Sequence, residues 1–188
     1  PPNQAFQTVA DAMLDYVNDS GDCPGVISAV DLNDNLAAYT VIDIRAENDY
    51  DAGHIPGAYH SSLGTVLDDL SDGTIPTDKP FVIACYSGQS AGHVKIAMEL
   101  VGYEDTYSLK FGMSSWNTSL AGPWNGNTDN LLGNPETTDN NGDLVFQGYP
   151  SLPQGATVES LVGDMLAGGF QAVGYADIMD NLSEYFVL

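Results

Sequence analysis

The amino-acid sequence predicts an α/β fold with a parallel sheet, on two observations. Three short apolar runs, Thr40-Val41-Ile42-Asp43-Ile44, Pro80-Phe81-Val82-Ile83-Ala84 and Thr106-Tyr107-Ser108-Leu109, show no alternation of apolar and polar residues. Strands that read this way are buried on both faces, the condition of a strand inside a parallel sheet. Between the second and third runs lies a helical stretch, about Ser90 to Val101, that stops at Gly102. Strand, helix, strand at this spacing makes a right-handed crossover unit.

Further helices are expected on both sides of that unit. Gln4 to Val17 carries Phe6, Val9, Ala10, Met13, Leu14 and Val17 at near-helical spacing and stops in Asn18-Asp19-Ser20-Gly21. A second helix is expected from about Asp31 to Ala38, capped by Ser28 or Asp31. From Asn117 to about Pro150 the composition turns to Asn, Gly, Asp, Thr and Pro, which reads as a long irregular insertion with a small hairpin near Asp143 to Gln147. Two more helical stretches follow, roughly Thr157 to Ala167 and Tyr175 to Ser183. The segment Ile27 to Ile42 is echoed by Val173 to Leu188, with identities at Asp31/Asp177, Asp34/Asp180, Asn35/Asn181, Leu36/Leu182, Tyr39/Tyr185 and Val41/Val187. The echo reads as the opening of a second copy whose remainder is missing; chance similarity of two short amphipathic helices is the alternative. The apolar faces Leu161, Val162, Met165 and Leu166, then Ile178, Leu182 and Tyr185, need cover. Packing within one chain is expected, with a homodimer contact as the alternative.

The 188 residues suit one domain with additional elements, and an apolar content of 43% is enough for a core. Against 26 Asp and Glu stand four basic residues, Arg45, Lys79, Lys95 and Lys110, for a net charge of -22. Such a surface repels phosphate backbones and anionic lipid, so nucleic-acid partners and membrane insertion are not expected. Self-repulsion also works against the compact state, so added salt should favour folding. Cys23 and Cys85 are too few for a disulfide scaffold. The chain opens Pro1-Pro2 without an initiator Met, which suggests removal of an upstream segment and export to a periplasm; the cytoplasm of a halophile is the alternative.

Cys85-Tyr86-Ser87-Gly88-Gln89-Ser90-Ala91 joins a buried strand to a helix. A loop at a strand's C-terminal end that opens into a helix N-terminus turns backbone N–H groups inward and adds the positive end of the helix dipole. A thiol placed there is favoured as the thiolate, the nucleophilic form. A buried, inert Cys closing a strand is the alternative, and strand-Cys-loop-helix by itself leaves the two level.

The flanking residues decide between them. In order they are Val41-Ile42-Asp43-Ile44-Arg45, Asp49-Tyr50-Asp51-Ala52-Gly53-His54-Ile55-Pro56-Gly57-Ala58, Asp78 to Gly88, and Gly102 to Trp116. This series resembles the rhodanese homology domain over about Val26 to Trp116, and its Gly-His-Ile-Pro-Gly-Ala stretch is highly specific. The resemblance implies a three-layer α/β fold with a central parallel sheet flanked by helices. It implies sulfurtransferase chemistry with no metal and no organic cofactor: Cys85 takes sulfane sulfur from a donor as a persulfide and yields it to a thiophilic acceptor. The loop amides of Tyr86, Ser87, Gly88, Gln89, Ser90 and Ala91, with Lys110 at the rim, would bind the substrate. Asp43, Arg45, His54 and Trp116 would be structural residues near the site. The chain then divides into a helical extension at 1–25, the catalytic domain at 26–116, the irregular insertion at 117–150 and a helical segment at 151–188.

The departures from the family pattern bear on the substrate. Many members carry Arg in the loop, where this sequence has Ser90 and Ala91 and no cation at all. An Arg fork is the natural clamp for a dianion such as thiosulfate, so polysulfide or a persulfide carrier is the expected sulfur donor. The phosphatase and arsenate-reductase relatives of the fold need Arg six residues after the Cys, and position 91 is Ala. Phe111 replaces the first Gly of the usual pair before Trp116, which predicts a bulkier, more apolar wall. Lys110 could replace the missing loop cation, or be a surface Lys after a strand. His93, one turn into the helix, is expected to be packed or solvated rather than reactive. Cys23 reads as an unpaired loop thiol rather than a resolving partner, and Asp139-Asn140-Asn141-Gly142-Asp143 as an Asn-Gly turn rather than a calcium loop. Two other functions remain in play: a sulfur carrier or sensor with little small-molecule turnover, and a non-catalytic interaction module, which the intact Cys loop disfavours.

Overall fold

The computed structural model describes residues 25–122, 125 and 155–172. In chain order the strands are β1 (Val26–Ile27), β2 (Thr40–Asp43), β3 (Tyr59–His60), β4 (Phe81–Ala84) and β5 (Thr106–Leu109). The helices are α1 (Ala29–Asp34), α2 (Glu47–Ala52), α3 (Val66–Ser71), α4 (Gln89–Leu100), α5 (Met113–Trp116) and α6 (Val158–Ala167), with 3-10 turns at Leu36–Ala38 and Thr118–Leu120. The strands form one sheet in the order β1-β5-β4-β2-β3, and every neighbouring pair is parallel.

Every residue of β2 and of β4 is buried, which is why neither run alternates. Successive side chains go to opposite faces. On one face Ile42, Phe81, Ile83 and Cys85 pack with Val66 and Leu70 of α3, Ala91, Val94, Ala97 and Met98 of α4, and Val162 and Leu166 of α6. On the other, Val41, Val82, Ala84 and Leu109 pack with Leu32 of α1, Ile55, Ala58 and Met113 of α5. Helices on both faces of a parallel sheet make the three-layer α/β architecture that the resemblance implies.

The three strands expected from the apolar runs form within one residue of their expected ends. Ile44 lies past the end of β2, yet its N–H still donates to the Ala84 carbonyl at 2.9 Å. Pro80 has no N–H to add to the ladder, and its carbonyl accepts from Thr40 at 2.9 Å. The helix expected over Asp31 to Ala38 starts earlier and stops sooner. Ser28 is its cap, accepting the Asp31 N–H at 3.1 Å. Asn35 ends it: its side-chain amide donates to the Asp31 carbonyl at 3.0 Å, and the chain continues as the 3-10 turn. The short elements β1, β3, α2, α3 and α5 carry too few residues to show a period, and the sequence pattern does not mark them.

α6 carries the capping box Thr157/Ser160, in which Ser160 N donates to Thr157 Oγ1 at 3.2 Å and Thr157 N to Ser160 Oγ at 3.0 Å. Its Val162 and Leu166 enter the cluster that contains Cys85, each worth about 1.5–3 kcal/mol in burial. The helices expected at Gln4–Val17 and Tyr175–Ser183, the hairpin near Asp143, the second half of the internal echo, Cys23 and the Asp139–Asp143 turn lie outside the described residues. Among the described residues no helix is long and apolar enough to cross a membrane.

Candidate active site

Cys85 follows β4 directly and is 3% exposed. The chain then turns at Gly88, with φ +94°, and enters α4 at Gln89. This curl brings two backbone donors onto the sulfur: Gly88 N lies 3.1 Å and Ala91 N 3.4 Å from Cys85 Sγ. Both N–H groups are aimed at the sulfur from the loop and the first turn of α4. The amides of Gln89 and Ser90, in the first turn of α4, have no acceptor inside the helix and are available to a second sulfur atom.

The loop is held from behind by the chain after β5. Cys85 O accepts from Met113 N at 2.7 Å, and Tyr86 O accepts from Ser114 N at 3.1 Å and Ser114 Oγ at 2.7 Å. Because a trans peptide points N–H and C=O oppositely, these bonds turn the N–H groups of Tyr86 and Ser87 away from α5. Ser108 Oγ adds a bond to Gly88 O at 3.4 Å. Gly112 makes the close approach possible: a Cβ there would stand 2.3 Å from Cys85 O. Phe111, the residue in place of the family glycine, takes φ +61°, a conformation that costs a non-glycine residue about 1–3 kcal/mol. Its backbone abuts Gly88, and its side chain is 48% exposed beneath the Lys110 ammonium, 5.5 Å from the ring centre. Phe111 is therefore a rim residue rather than an inner wall.

Asp43 and Arg45 form a buried ion pair, with Arg45 Nη2 2.7 Å from Asp43 Oδ2 and Nε 3.0 Å from Oδ1. The same Nη2 donates to Gly53 O at 2.7 Å, tying the pair to the end of α2. Asp43 and Gly53 O thus occupy the Nε and Nη2 donors of this guanidinium. Tyr86 lies with its ring 5.9 Å from the Arg45 guanidinium carbon; its hydroxyl donates to Asp49 and accepts from Ala46 N at 3.2 Å. His54 is exposed and orders its own turn: Nδ1 lies 2.9 Å from Tyr50 O, and the ring stacks on Tyr50 at 3.8 Å. Tyr50 in turn donates its hydroxyl to Ala58 O at 2.6 Å. Trp116 packs, partly buried, on the α1 side of the sheet. Lys110 is exposed at the end of β5. His93 turns its ring to Phe170, 6.1 Å away, and lines a shallow hollow of about 360 Å³ against the end of α6. Among the described residues no three His, Cys, Asp or Glu side chains gather as metal ligands.

The structure thus brings together Cys85, the loop amides, Tyr86, Arg45 and Asp43; His54 lies in the turn after α2, Lys110 at the end of β5 and Trp116 at the end of α5. Sequence reasoning missed Asp49, Tyr50, His60 (whose Nε2 lies 2.9 Å from Arg45 O) and the packing role of Gly112. Asp49 stands three residues after Ala46, the N-cap position of α2, a helix that the sequence pattern does not mark.

Burial, and next the Asp49 hydrogen bond, hold the Tyr86 hydroxyl's pKa above its ordinary 10.0; the Ala46 N–H and the Arg45 charge pull weakly the other way. Burial and the nearby Asp43 and Asp51 charges raise Tyr50 likewise. Folding therefore favours the protonated phenols. That contribution is complete below the unfolded value and is lost as pH rises through the folded one. The melting temperature should fall as pH is raised beyond about 10, and Tyr86→Phe should flatten the fall. Identical slopes for parent and variant would refute this account.

Residues 28–119 match the family model for the rhodanese-like domain. The thiosulfate sulfurtransferase GlpE of Pseudomonas fluorescens is 35% identical over 79 residues, spanning 42% of this chain and 71% of that protein. GlpE of Pseudoalteromonas translucida is 33% identical over 81 residues, 43% of this chain and 75% of that protein. A rhodanese-related protein of known structure from Thermoplasma volcanium is 23% identical, covering 48% of this chain and 88% of the other with a TM-score of 0.44. The chain belongs to the rhodanese-like domain family.

Proposed function

We propose that the protein is a sulfurtransferase that carries sulfane sulfur as a persulfide on Cys85. The observation that carries this is the sulfur itself, buried at the end of β4 and met by the N–H groups of Gly88 and Ala91. In the first step the Cys85 thiolate attacks the terminal sulfur of a donor. A new S–S bond forms to Sγ, the donor's own S–S bond breaks, and its electron pair leaves with the shortened donor anion. In the second step a thiophilic acceptor attacks the outer sulfur, and the Cys85 thiolate leaves. The loop amides stabilise negative charge on sulfur throughout, which is the electrostatic part of the catalysis.

Polysulfide or a persulfide carrier is the better donor on this geometry. The loop has no cation, Arg45 is bound to Asp43, and Lys110 supplies a single exposed charge at the rim. The net charge of -22 repels both anions, but thiosulfate also carries a sulfonate head that would meet hydrogen-bond donors without a bidentate partner, a head that polysulfide lacks. Thiosulfate is the second reading, favoured by the names of the GlpE relatives. With cyanide as acceptor, kcat/KM should be higher for polysulfide than for thiosulfate by about tenfold or more, the scale of one missing charge-assisted contact. Ser90→Arg should narrow the gap. Equal efficiency on both donors would overturn the donor assignment, and absence of turnover with persulfide still formed on Cys85 would favour a carrier over an enzyme.

A further inference from the structure

We infer that Asp49 is a positioning residue for Cys85, acting through the hydroxyl of Tyr86. α2 begins after Ala46, which has no side chain able to cap it. The missing cap comes from the sulfur loop instead. Tyr86 OH accepts the Ala46 N–H at 3.2 Å and donates to the Asp49 carboxylate, in the third position of the helix. One hydroxyl thus links the two groups that a capping box would join directly. Asp49 in the first turn also complements the positive end of the helix.

The consequence lies at the other end of the same residue. Tyr86 is bonded to Cys85 in sequence, and its carbonyl is fixed by Ser114 N and Oγ. Its ring is fixed by the hydroxyl, with Arg45 close to the ring. Residue 86 is therefore held at both its main chain and its tip, 37 residues away in sequence from Asp49. The N–H of Gly88, two residues further on, sits 3.1 Å from Sγ. Hydrogen bonds weaken steeply once distance and angle drift, so freeing the ring lets the loop relax away from the sulfur. Arg45 cannot take over, because Asp43 and Gly53 O hold it.

The inference rests on Cys85 being the sulfur-carrying nucleophile, but its test does not require sulfur transfer. In the full chain with Cys23→Ser as background, Cys85 is alkylated with iodoacetamide across pH, and the modified residue is located by digestion. Asp49→Ala and Tyr86→Phe should each slow alkylation at neutral pH by about three- to tenfold, the worth of one hydrogen bond, and move the profile to higher pH. The double variant should be no worse than Tyr86→Phe alone, because loss of the hydroxyl already removes its bond to Asp49. Asp49→Asn, whose amide oxygen accepts the same bond, should keep a near-parent profile. Melting temperatures are measured in parallel. A lowered melting temperature with an unchanged alkylation profile means that Tyr86 only caps α2, and overturns the inference, as do additive losses in the double variant. A shifted profile in a protein that takes up no sulfur would refute the proposed function and leave the positioning role standing.

Discussion

Cys85→Ser is expected to abolish sulfur transfer while leaving the fold in place. The hydroxyl of Ser fits the same space and can accept the Gly88 and Ala91 N–H groups, so the loop keeps its shape. What is lost is the nucleophile: a Ser hydroxyl is a weak nucleophile at its free pKa, needs an adjacent general base, and forms no persulfide. His93, which sits nearest in sequence, faces Phe170 instead. Turnover should drop to background, at least about 10³-fold, the scale on which loss of a covalent nucleophile is felt. Intact mass after polysulfide treatment should show one or more sulfur atoms added to the parent, located by digestion on Cys85, and none on the variant at that position. Cys85→Ala should behave alike, with a small cavity in the cluster it shares with Ile83 and Ala91. Retained turnover in Cys85→Ser, or its loss in Cys23→Ser, would mean that the wrong sulfur has been assigned.

How much of this was legible in the sequence depends on whether the signal was local. β2, β4, β5 and α4 were readable because a run buried on both faces, or a long helix bounded by Gly102, leaves its mark on consecutive residues. The end of α1 was misplaced because Asn35 competes for the Asp31 carbonyl, a choice that apolar spacing does not record. Within the site, the order strand, Cys85, loop, helix was visible, as was the place of Asp43 and Arg45 as structural residues beside it. The Asp49–Tyr86 link was not, since its partners are 37 residues apart and meet only when α2 is laid beside β4's loop. Phe111 was recognisable as a substitution for glycine. Its positive φ and half-exposed side chain follow from the backbone turn after β5, which no periodicity reveals.

Gly112→Ala is expected to disable the site more than any other single-methyl change in the described residues. The glycine adopts φ +54° and ψ -151°, a combination that L side chains rarely take and that costs on the order of 1–3 kcal/mol. The added carbon would lie 2.3 Å from Cys85 O and 2.8 Å from both Ser87 N and Gly88 N. All three are backbone atoms of the sulfur loop, so no side chain can swing aside to relieve the contact. Either the segment 110–114 moves back, breaking Met113 N to Cys85 O and the Ser114 bonds to Tyr86 O, or the loop moves forward, carrying Gly88 N off the sulfur. The two routes give the same observable. Sulfur transfer should fall by about 10²-fold or more, the cost of misplacing a catalytic group by roughly 1 Å, and stability should drop by about 2–4 kcal/mol. Gly163→Ala is the matched control. Its Cβ would meet nothing within 4 Å in the interior of α6, so the change should be neutral or stabilise by up to about 1 kcal/mol. If Gly112→Ala keeps the parent's melting temperature and turnover while Gly163→Ala behaves as stated, the chain after β5 does not support the loop in the way these contacts require.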